Sequence, residues 1–205
     1  MSARVFVVDD DEAFRDSVRV LLASAGIPST AFASAQEFLD QYRNEPGCLL
    51  LDVRMPGMSG LSLQDELGRR RVAAPIVFVT GHGDVPMAVQ AIKKGALDFI
   101  EKPYRDEDLL GLVRRALEVD AEQRRAEAAL GALTQREREV LDHLLAGRTG
   151  RATAEALGVS AKTIEFHRAR IMQKLNVRTR EELYRLCRVS SSSSREIPPS
   201  RDISE

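Results

Sequence analysis

Four short apolar runs constrain this chain more than any other feature: Val5 to Val8, Cys48 to Leu51, Ile76 to Val79 and Phe99-Ile100. They lack polar alternation, as expected of parallel strands covered on both faces. Each gives way to polar residues, respectively Asp9-Asp10, Asp52, Thr80 and Lys102-Pro103. Ligands of open α/β sheets bind in the crevice at the carboxyl ends of the strands, so this order would gather three carboxylates, a hydroxyl and an ammonium in one pocket. That set suits an aspartyl phosphate beside a magnesium ion.

Between the runs the pattern is helical. Phe14, Val18, Leu21 and Leu22 share one face. Ser34 with Glu37 makes a capping box before Phe38 and Leu39. Ser59 precedes Leu61, Leu63 and Leu67, and Asp84 precedes Val85, Ala88, Val89 and Ile92. A weaker strand, Thr30 to Phe32, follows Gly26 and Pro28. Five alternating strand and helix units predict a doubly wound, five-stranded parallel sheet. Its last helix begins near Arg105, is held to the core by Leu109, Leu112, Val113, Ala116 and Leu117, and has no proline to stop it before Leu130. Beyond Val119 its apolar positions are mostly alanines, which favours a solvated connector over a coiled-coil seam.

From Thr134 onward only short helices are predicted. Thr134 and Glu137 form a capping box ahead of Val140, Leu141, Leu144 and Leu145, closed by Gly147. A second helix fits Arg151 to Leu157. After the Gly158-Val159-Ser160 turn, a third runs from Ala161 to Leu175, and a fourth from Glu181 to Arg188. A helix, a glycine-containing turn and a basic helix give the helix-turn-helix layout in an all-α, four-helix domain. The expected organisation is therefore a sheet domain over 1–118, a linker helix over 119–130, a helical domain over 131–189 and a disordered serine-rich tail over 190–205.

Charge separates the two halves. The whole chain of 205 residues has a formal net charge of −1. Residues 1–118 hold 14 basic and 18 acidic side chains, and residues 131–189 hold 12 and 7. An acidic first half and a basic second half imply different partners, nucleic acid being the candidate for the second. No apolar run approaches the ~20 residues needed to span a bilayer, and Asp9 to Asp11 stand where a signal peptide would carry its apolar core. A cytoplasmic protein with no membrane partner is expected, with Cys48 and Cys187 as buried, reduced thiols.

These motifs carry a resemblance. Val7-Val8-Asp9-Asp10, Leu51-Asp52-Val53-Arg54-Met55-Pro56-Gly57, Val79-Thr80-Gly81-His82-Gly83 and Gly95 to Pro103 lie in order in the first half. Leu133-Thr134-Gln135-Arg136-Glu137-Arg138-Glu139-Val140-Leu141 and Lys162-Thr163-Ile164-Glu165-Phe166-His167-Arg168 follow in the second. The chain resembles two-component response regulators of the FixJ/NarL type, in which a flavodoxin-like receiver precedes a LuxR-type helix-turn-helix domain. The resemblance covers nearly all of the chain except the tail.

Chemistry and resemblance together assign the receiver residues. Asp52 is the candidate phosphoacceptor, a carboxylate able to take a phosphoryl group as a mixed anhydride. Crowded carboxylates call for a hard cation such as Mg2+. Asp10 and Asp52 would supply side-chain oxygens, and by resemblance the backbone carbonyl of Arg54 supplies another while Asp9 helps through water. Lys102 would balance phosphoryl charge and Thr80 would hydrogen-bond a phosphoryl oxygen. The resemblance makes Thr80 and Phe99 the switch pair, suggests a cis peptide between Lys102 and Pro103, and makes the surface from about Val85 to Leu117 a dimer contact. Arg54 and His82 either tune the lifetime of the phosphoaspartate or are solvated surface residues. The implied partners are a sensor histidine kinase, double-stranded promoter DNA, a second copy of the chain when phosphorylated, and RNA polymerase. No enzyme activity is expected beyond slow self-dephosphorylation.

In the basic domain, Glu165, Phe166 and Ala169 are the candidates for base contacts, and Lys162, Thr163 and Arg168 for phosphates or adjacent bases. His167 and Arg170 also face away from the packing residues Ile164, Ile171, Met172 and Leu175. Glu165 could accept from a cytosine amino group or orient Arg168. One departure stands out. Relatives read like Ser-Asn-Lys-Glu-Ile-Ala where this chain has Thr149-Gly150-Arg151-Ala152-Thr153-Ala154, which predicts a weakened or differently docked second helix. An interaction module with weak or no DNA binding is therefore the alternative. An aspartate-nucleophile phosphatase would carry a second acid two positions after the nucleophile, where this chain has Arg54.

Overall fold

A computed structural model of the chain describes residues 3–81 and 85–191. His82, Asp84 and the tail beyond Ser191 lie outside the described residues. The order of elements begins β1 (Arg4–Val8), α1 (Glu12–Ser24), β2 (Ser29–Phe32), α2 (Ala35–Gln41), β3 (Gly47–Asp52) and α3 (Gly60–Arg69). It continues with β4 (Ile76–Thr80), α4 (Val85–Lys93), β5 (Asp98–Glu101) and α5 (Asp106–Gly131). Four helices follow: α6 (Gln135–Leu145), α7 (Gly150–Leu157), α8 (Ala161–Lys174) and α9 (Arg180–Ser191). The chain divides into two compact units, Met1–Glu122 and Gln123–Glu205.

In the first unit the strands form one parallel sheet in the order β2-β1-β3-β4-β5. The order reverses between β1 and β3, which opens a crevice at their carboxyl ends. Alternation along the strands divides the core in two. Val5 and Val7 face Val18, Leu22, Leu109 and Val113 of α1 and α5, whereas Phe6 and Val8 face Phe38, Leu63 and Leu67 of α2 and α3. Because both faces are covered, the central strands β3 and β4 are buried throughout and apolar up to their terminal Asp52 and Thr80, whereas the edge strands β2 and β5 carry polar residues.

Local chemistry sets the helix starts. Asp11 caps α1 by accepting from the N–H groups of Ala13 and Phe14, and Ser59 caps α3 by accepting from that of Ser62. At α2 the Ser34 hydroxyl accepts from Glu37 N as expected, but the Glu37 carboxylate returns to Ala33 N at 2.7 Å, one residue before the cap. Gly60 opens α3 so close to the sheet that a Cβ there would stand 2.1 Å from the Asp52 carbonyl oxygen.

The stretch after Val119 leaves Glu122, Arg125, Glu127 and Ala128 exposed, as a solvated connector would, but two of its residues are buried. Asp120 is 3% exposed, and its Oδ2 accepts from Gly47 N at 2.9 Å, tying α5 to the start of β3. Ala126 is buried as well. Helix α9 also outruns its expected end at Arg188 and includes Ser190 and Ser191.

In the second unit Leu133, Val140, Leu141, Ile164, Ile171 and Leu183 form the core. Gly158 ends α7 in the left-handed region at φ 65° and Ser160 caps α8, which completes the tight turn. The departure at 149–154 does not disturb α7. Gly150 is its first helical residue, where flexibility matters least, and Thr149 is the N-cap. Thr153 is fully buried with its hydroxyl donating to Thr149 O at 3.0 Å, and Ala154 joins the core. Where a weakened or differently docked helix was expected, α7 is capped and its buried threonine has its hydroxyl satisfied.

Glu137 is the buried charge of this unit. Its Oε2 accepts from Thr134 N (2.8 Å), Thr134 Oγ1 (2.9 Å) and Lys174 Nζ (2.7 Å). The Lys174 ammonium first, then the Thr134 N–H, hold its carboxyl down at about 2. A depressed carboxyl contributes stability that is full above the ordinary carboxylate range and is lost as pH falls toward its folded value.

Two outcomes are expected. Gly60→Ala lowers stability by about 1–3 kcal/mol through overpacking against the Asp52 backbone, read by urea denaturation. Glu137→Gln lowers it at pH 7 by about 1–3 kcal/mol. That deficit shrinks as pH falls from the ordinary carboxylate range toward 2, as hydrogen exchange of the α6 and α8 amides would report.

Candidate functional site

The sheet brings the expected receiver residues to one edge. Asp9, Asp10, Asp11, Asp52, Val53, Arg54, Gly81 and Lys102 line a depression of about 270 Å³. Asp9 follows β1, Asp52 ends β3, Thr80 ends β4 and Lys102 follows β5. Parallel register therefore converts four distant sequence positions into neighbours.

Asp9 is 2% exposed and Asp52 9%, so their carboxylates crowd in a poorly hydrated corner. Lys102 Nζ spans them, 2.9 Å from Asp9 Oδ2 and 3.5 Å from Asp52 Oδ1. Asp52 Oδ2 accepts from Arg54 N at 2.7 Å. Burial pushes the Asp52 carboxyl up and the Asp9 charge adds to it, while Lys102 and the Arg54 N–H pull it partly back. The Asp9 Oδ1 accepts from Asp11 N at 2.9 Å, and its backbone carbonyl from Arg15 Nη1 at 2.7 Å. The peptide between Lys102 and Pro103 is cis, as the resemblance suggested.

Thr80 is 3% exposed and its hydroxyl donates to Gly81 O at 3.2 Å. Phe99 is half-buried against the cluster on the α2–α4 side of the sheet. Asp10 and Arg54 are exposed at the rim. Among the described residues, no three His, Cys, Asp or Glu side chains close on one point as a ready-made metal cage. The expected donor set asks for less: side-chain oxygens from Asp10 and Asp52 and one backbone carbonyl. The crowding of Asp9 and Asp52, which one ammonium only partly relieves, fits a hard divalent cation that keeps several waters. Phe14 and Arg15 were missed as site residues. Spacing identified Phe14 as part of a core face and gave Arg15 no role, and nothing in the sequence says that α1 starts beside Lys102.

In the second unit the candidate surface is α8. Lys162, Glu165, Phe166, Ala169 and Arg170 are exposed, Thr163, His167 and Arg168 are half-buried, and Ile164 and Ile171 anchor the helix to the core. Phe166 is 57% exposed. Glu165 Oε1 accepts from Arg168 Nη1 at 2.9 Å, so the acid does orient that arginine. Arg170 lies 3.7 Å from the Glu137 carboxylate and over the Phe166 ring. The Thr163 hydroxyl is 2.8 Å from that of the capping Ser160. His167 departs from expectation, because its Nδ1 is buried without a hydrogen-bond partner among the described residues. A groove of about 410 Å³ beside α8 adds Arg148, Arg178 and Arg180, which the sequence indicated only through the net charge of its segment.

The comparisons with known proteins agree across the chain. Residues 5–114 match the response regulator receiver domain, and residues 131–187 match the luxR family of bacterial regulatory proteins. The chain is 44% identical over 193 residues to the transcriptional regulatory protein FixJ of Azorhizobium caulinodans, covering 90% of this chain and 92% of that protein. It is 43% identical to the transcriptional regulatory protein TdiR of Thauera aromatica, over 89% of this chain and 84% of that one. Among solved structures it is similar to the response regulator StyR, with a TM-score of 0.59 and 42% identity over 92% of this chain and 99% of that one. Full-length FixJ from B. japonicum gives a TM-score of 0.56 and 38% identity over 93% and 98%.

The charge crowding has a measurable consequence. A carboxyl raised by folding withdraws stability as pH rises through and above the ordinary carboxylate range. With divalent metal chelated, Asp52→Asn therefore raises the melting temperature of the first unit at pH 7, as thermal denaturation across a pH series would report. The gain disappears below the ordinary carboxylate value.

Proposed function

The chain belongs to the response regulators that join a receiver domain to a LuxR-type DNA-binding domain, and from that membership we propose that Asp52 is the phosphoacceptor whose modification controls DNA binding. It is a DNA-binding two-component regulator. The finer assignments rest on the pocket geometry, and above all on the Lys102 ammonium standing between Asp9 and Asp52.

In this reading a sensor histidine kinase presents a phosphohistidine at the rim. An Asp52 carboxylate oxygen attacks phosphorus, the phosphorus–nitrogen bond breaks, and a mixed anhydride forms. Asp10, Asp52 and the Arg54 carbonyl would hold Mg2+, with Asp9 assisting through water, and the ion when bound supplies positive charge for the transferring oxygens. Lys102 offers a second positive charge beside Asp52. The product carries about −1.5 to −2 charge and strong acceptors, enough to turn the Thr80 hydroxyl from Gly81 O toward the phosphoryl group. The half-buried Phe99 ring follows into the vacated space, and the α4–β5–α5 surface becomes the contact with a second copy. Receiver 1–118, linker helix 119–130 and DNA-binding domain 131–189 are the working parts of this scheme in a cytoplasmic protein. RNA polymerase is the further partner, and the receiver's own hydrolysis of its phosphoaspartate is slow.

The output surface supports major-groove recognition by α8. The exposed Phe166 and Ala169 offer apolar contact to thymine methyl groups, and Glu165 offers an acceptor to cytosine. Lys162, Thr163, Arg168 and Arg170 address phosphates or adjacent bases. His167, with a buried ring nitrogen, serves mainly to place its neighbours.

The deciding experiment measures oligomeric state and promoter affinity with and without a phosphoryl donor and Mg2+, with Asp52→Asn as control. Dimerisation and tighter binding lost in the variant support the switch; modification without a change in DNA binding favours the interaction module. Separately, Lys162→Ala weakens binding evenly across sequences and reduces the salt slope by about 0.9. Glu165→Ala instead relaxes preference at one base pair by about 1–3 kcal/mol. Salt-titrated fluorescence anisotropy on operator and single-base variants separates the two effects.

A further inference from the structure

The ammonium of Lys102 stands over an aromatic ring. Its Nζ lies 3.6 Å from the centroid of Phe14, while Asp9 Oδ2 and Asp52 Oδ1 hold it at 2.9 and 3.5 Å. Phe14 belongs to the first turn of α1, whose buried residues Val18 and Leu22 are aliphatic. What the ring adds is a face of negative potential directed at a cation.

The ring is itself supported. Phe14 is half-buried against the α1–α5 side of the core and meets Tyr104 edge-on, at 6.4 Å between centroids and 86° between planes. Tyr104 follows the Lys102-Pro103 peptide, so the segment that carries the lysine also carries the residue bracing its platform. Next in sequence, Arg15 Nη1 donates to the Asp9 carbonyl at 2.7 Å. The start of α1 thus holds both members of the Lys102–Asp9 pair.

A ring differs from an acid in this place. A carboxylate would hold Lys102 more tightly but neutralise the charge an arriving phosphoryl group requires. A π face attracts the ammonium without adding a third carboxylate to the two, Asp9 and Asp52, that already face it.

We propose that Phe14, braced by Tyr104, is a positioning residue for phosphoryl transfer to Asp52, holding the Lys102 ammonium where the transferred group arrives. The inference rests on the reading of Asp52 as phosphoacceptor and Lys102 as its counter-charge. It adds a residue that neither touches the phosphoryl group nor carries charge.

The test uses the full chain with acetyl phosphate and Mg2+. Asp52 attacks phosphorus, the phosphorus–oxygen bond to the acetyl group breaks, and acetate leaves. Phe14→Leu keeps an apolar side chain but removes the π face, and slows phosphorylation by about two- to fivefold, the rate equivalent of an exposed cation–π contact. Phe14→Tyr keeps the wild-type rate. Phenylalanines bearing one, two and three ring fluorines at position 14 retain shape while draining the ring's negative face, and the rate falls stepwise along the series.

A metal-free readout accompanies the rates. The Lys102 ammonium proton resonance is shifted upfield by the ring in the wild type and in Phe14→Tyr, and loses that shift in Phe14→Leu. A flat fluorine series, or wild-type phosphorylation of Phe14→Leu, overturns the proposal while the Asp52 assignment stands. Phosphate incorporation that persists in Asp52→Asn overturns the underlying reading instead. Should Phe14→Leu fail to fold, the shape-conserving fluorine series still decides.

Discussion

The mutual repulsion of the Asp9 and Asp52 carboxylates, buried at the ends of neighbouring strands β1 and β3, is the constraint around which the receiver is arranged. Burial and the neighbouring Asp9 charge both push the Asp52 carboxyl up. The fold answers with Lys102, brought from the end of β5, and with backbone N–H groups at Asp11 and Arg54. Every donor comes from a loop leaving the same edge of the sheet. Parallel topology makes this possible, since each strand of a parallel sheet delivers its carboxyl end to the same side. The crowding is also what makes the pocket responsive. A site that one ammonium only partly neutralises has room for more positive charge, and the metal and phosphoryl chemistry assigned to it draws on that imbalance.

The helical domain meets a buried carboxylate in the opposite way. Glu137 is surrounded by donors from its own cap and from α8, and its carboxyl is driven down where that of Asp52 is driven up. A satisfied buried charge fixes geometry. Lys174 is drawn to α6 by this carboxylate while Ile164 and Ile171 pack the same helix into the core, leaving Lys162, Glu165, Phe166 and Ala169 on the outside. That outer face of α8 is exposed because its opposite face is doubly anchored.

Much of this was legible in advance for reasons that can be named. Strands buried on both faces must be apolar along their length, so Val5 to Val8 and Cys48 to Leu51 announced themselves, and a polar residue following such a run has to lie at its end. Capping boxes are local, so Thr134 and Glu137 could be paired by spacing alone. What failed to show was long-range. The alanines after Val119 suggested solvent because nothing nearby reveals that Asp120 reaches Gly47, 73 positions earlier. The glycine at position 150 looked damaging because propensity is reckoned for a helix interior, whereas the helix starts at that residue. Phe14 looked like core because apolar periodicity reports burial and is silent on which cation shares the neighbourhood.

The sequence by itself determined the class of sheet, the order of its elements, the polar residues at the strand ends and the helix carrying the basic face, because periodicity, capping and charge are written within a few residues. Tertiary structure alone decided that Lys102 bridges Asp9 and Asp52 over the Phe14 ring and that Asp120 ties α5 to β3. Those are meetings in space, fixed by strand register and helix packing. Their energies depend on burial and on ångström distances that no one-dimensional pattern encodes.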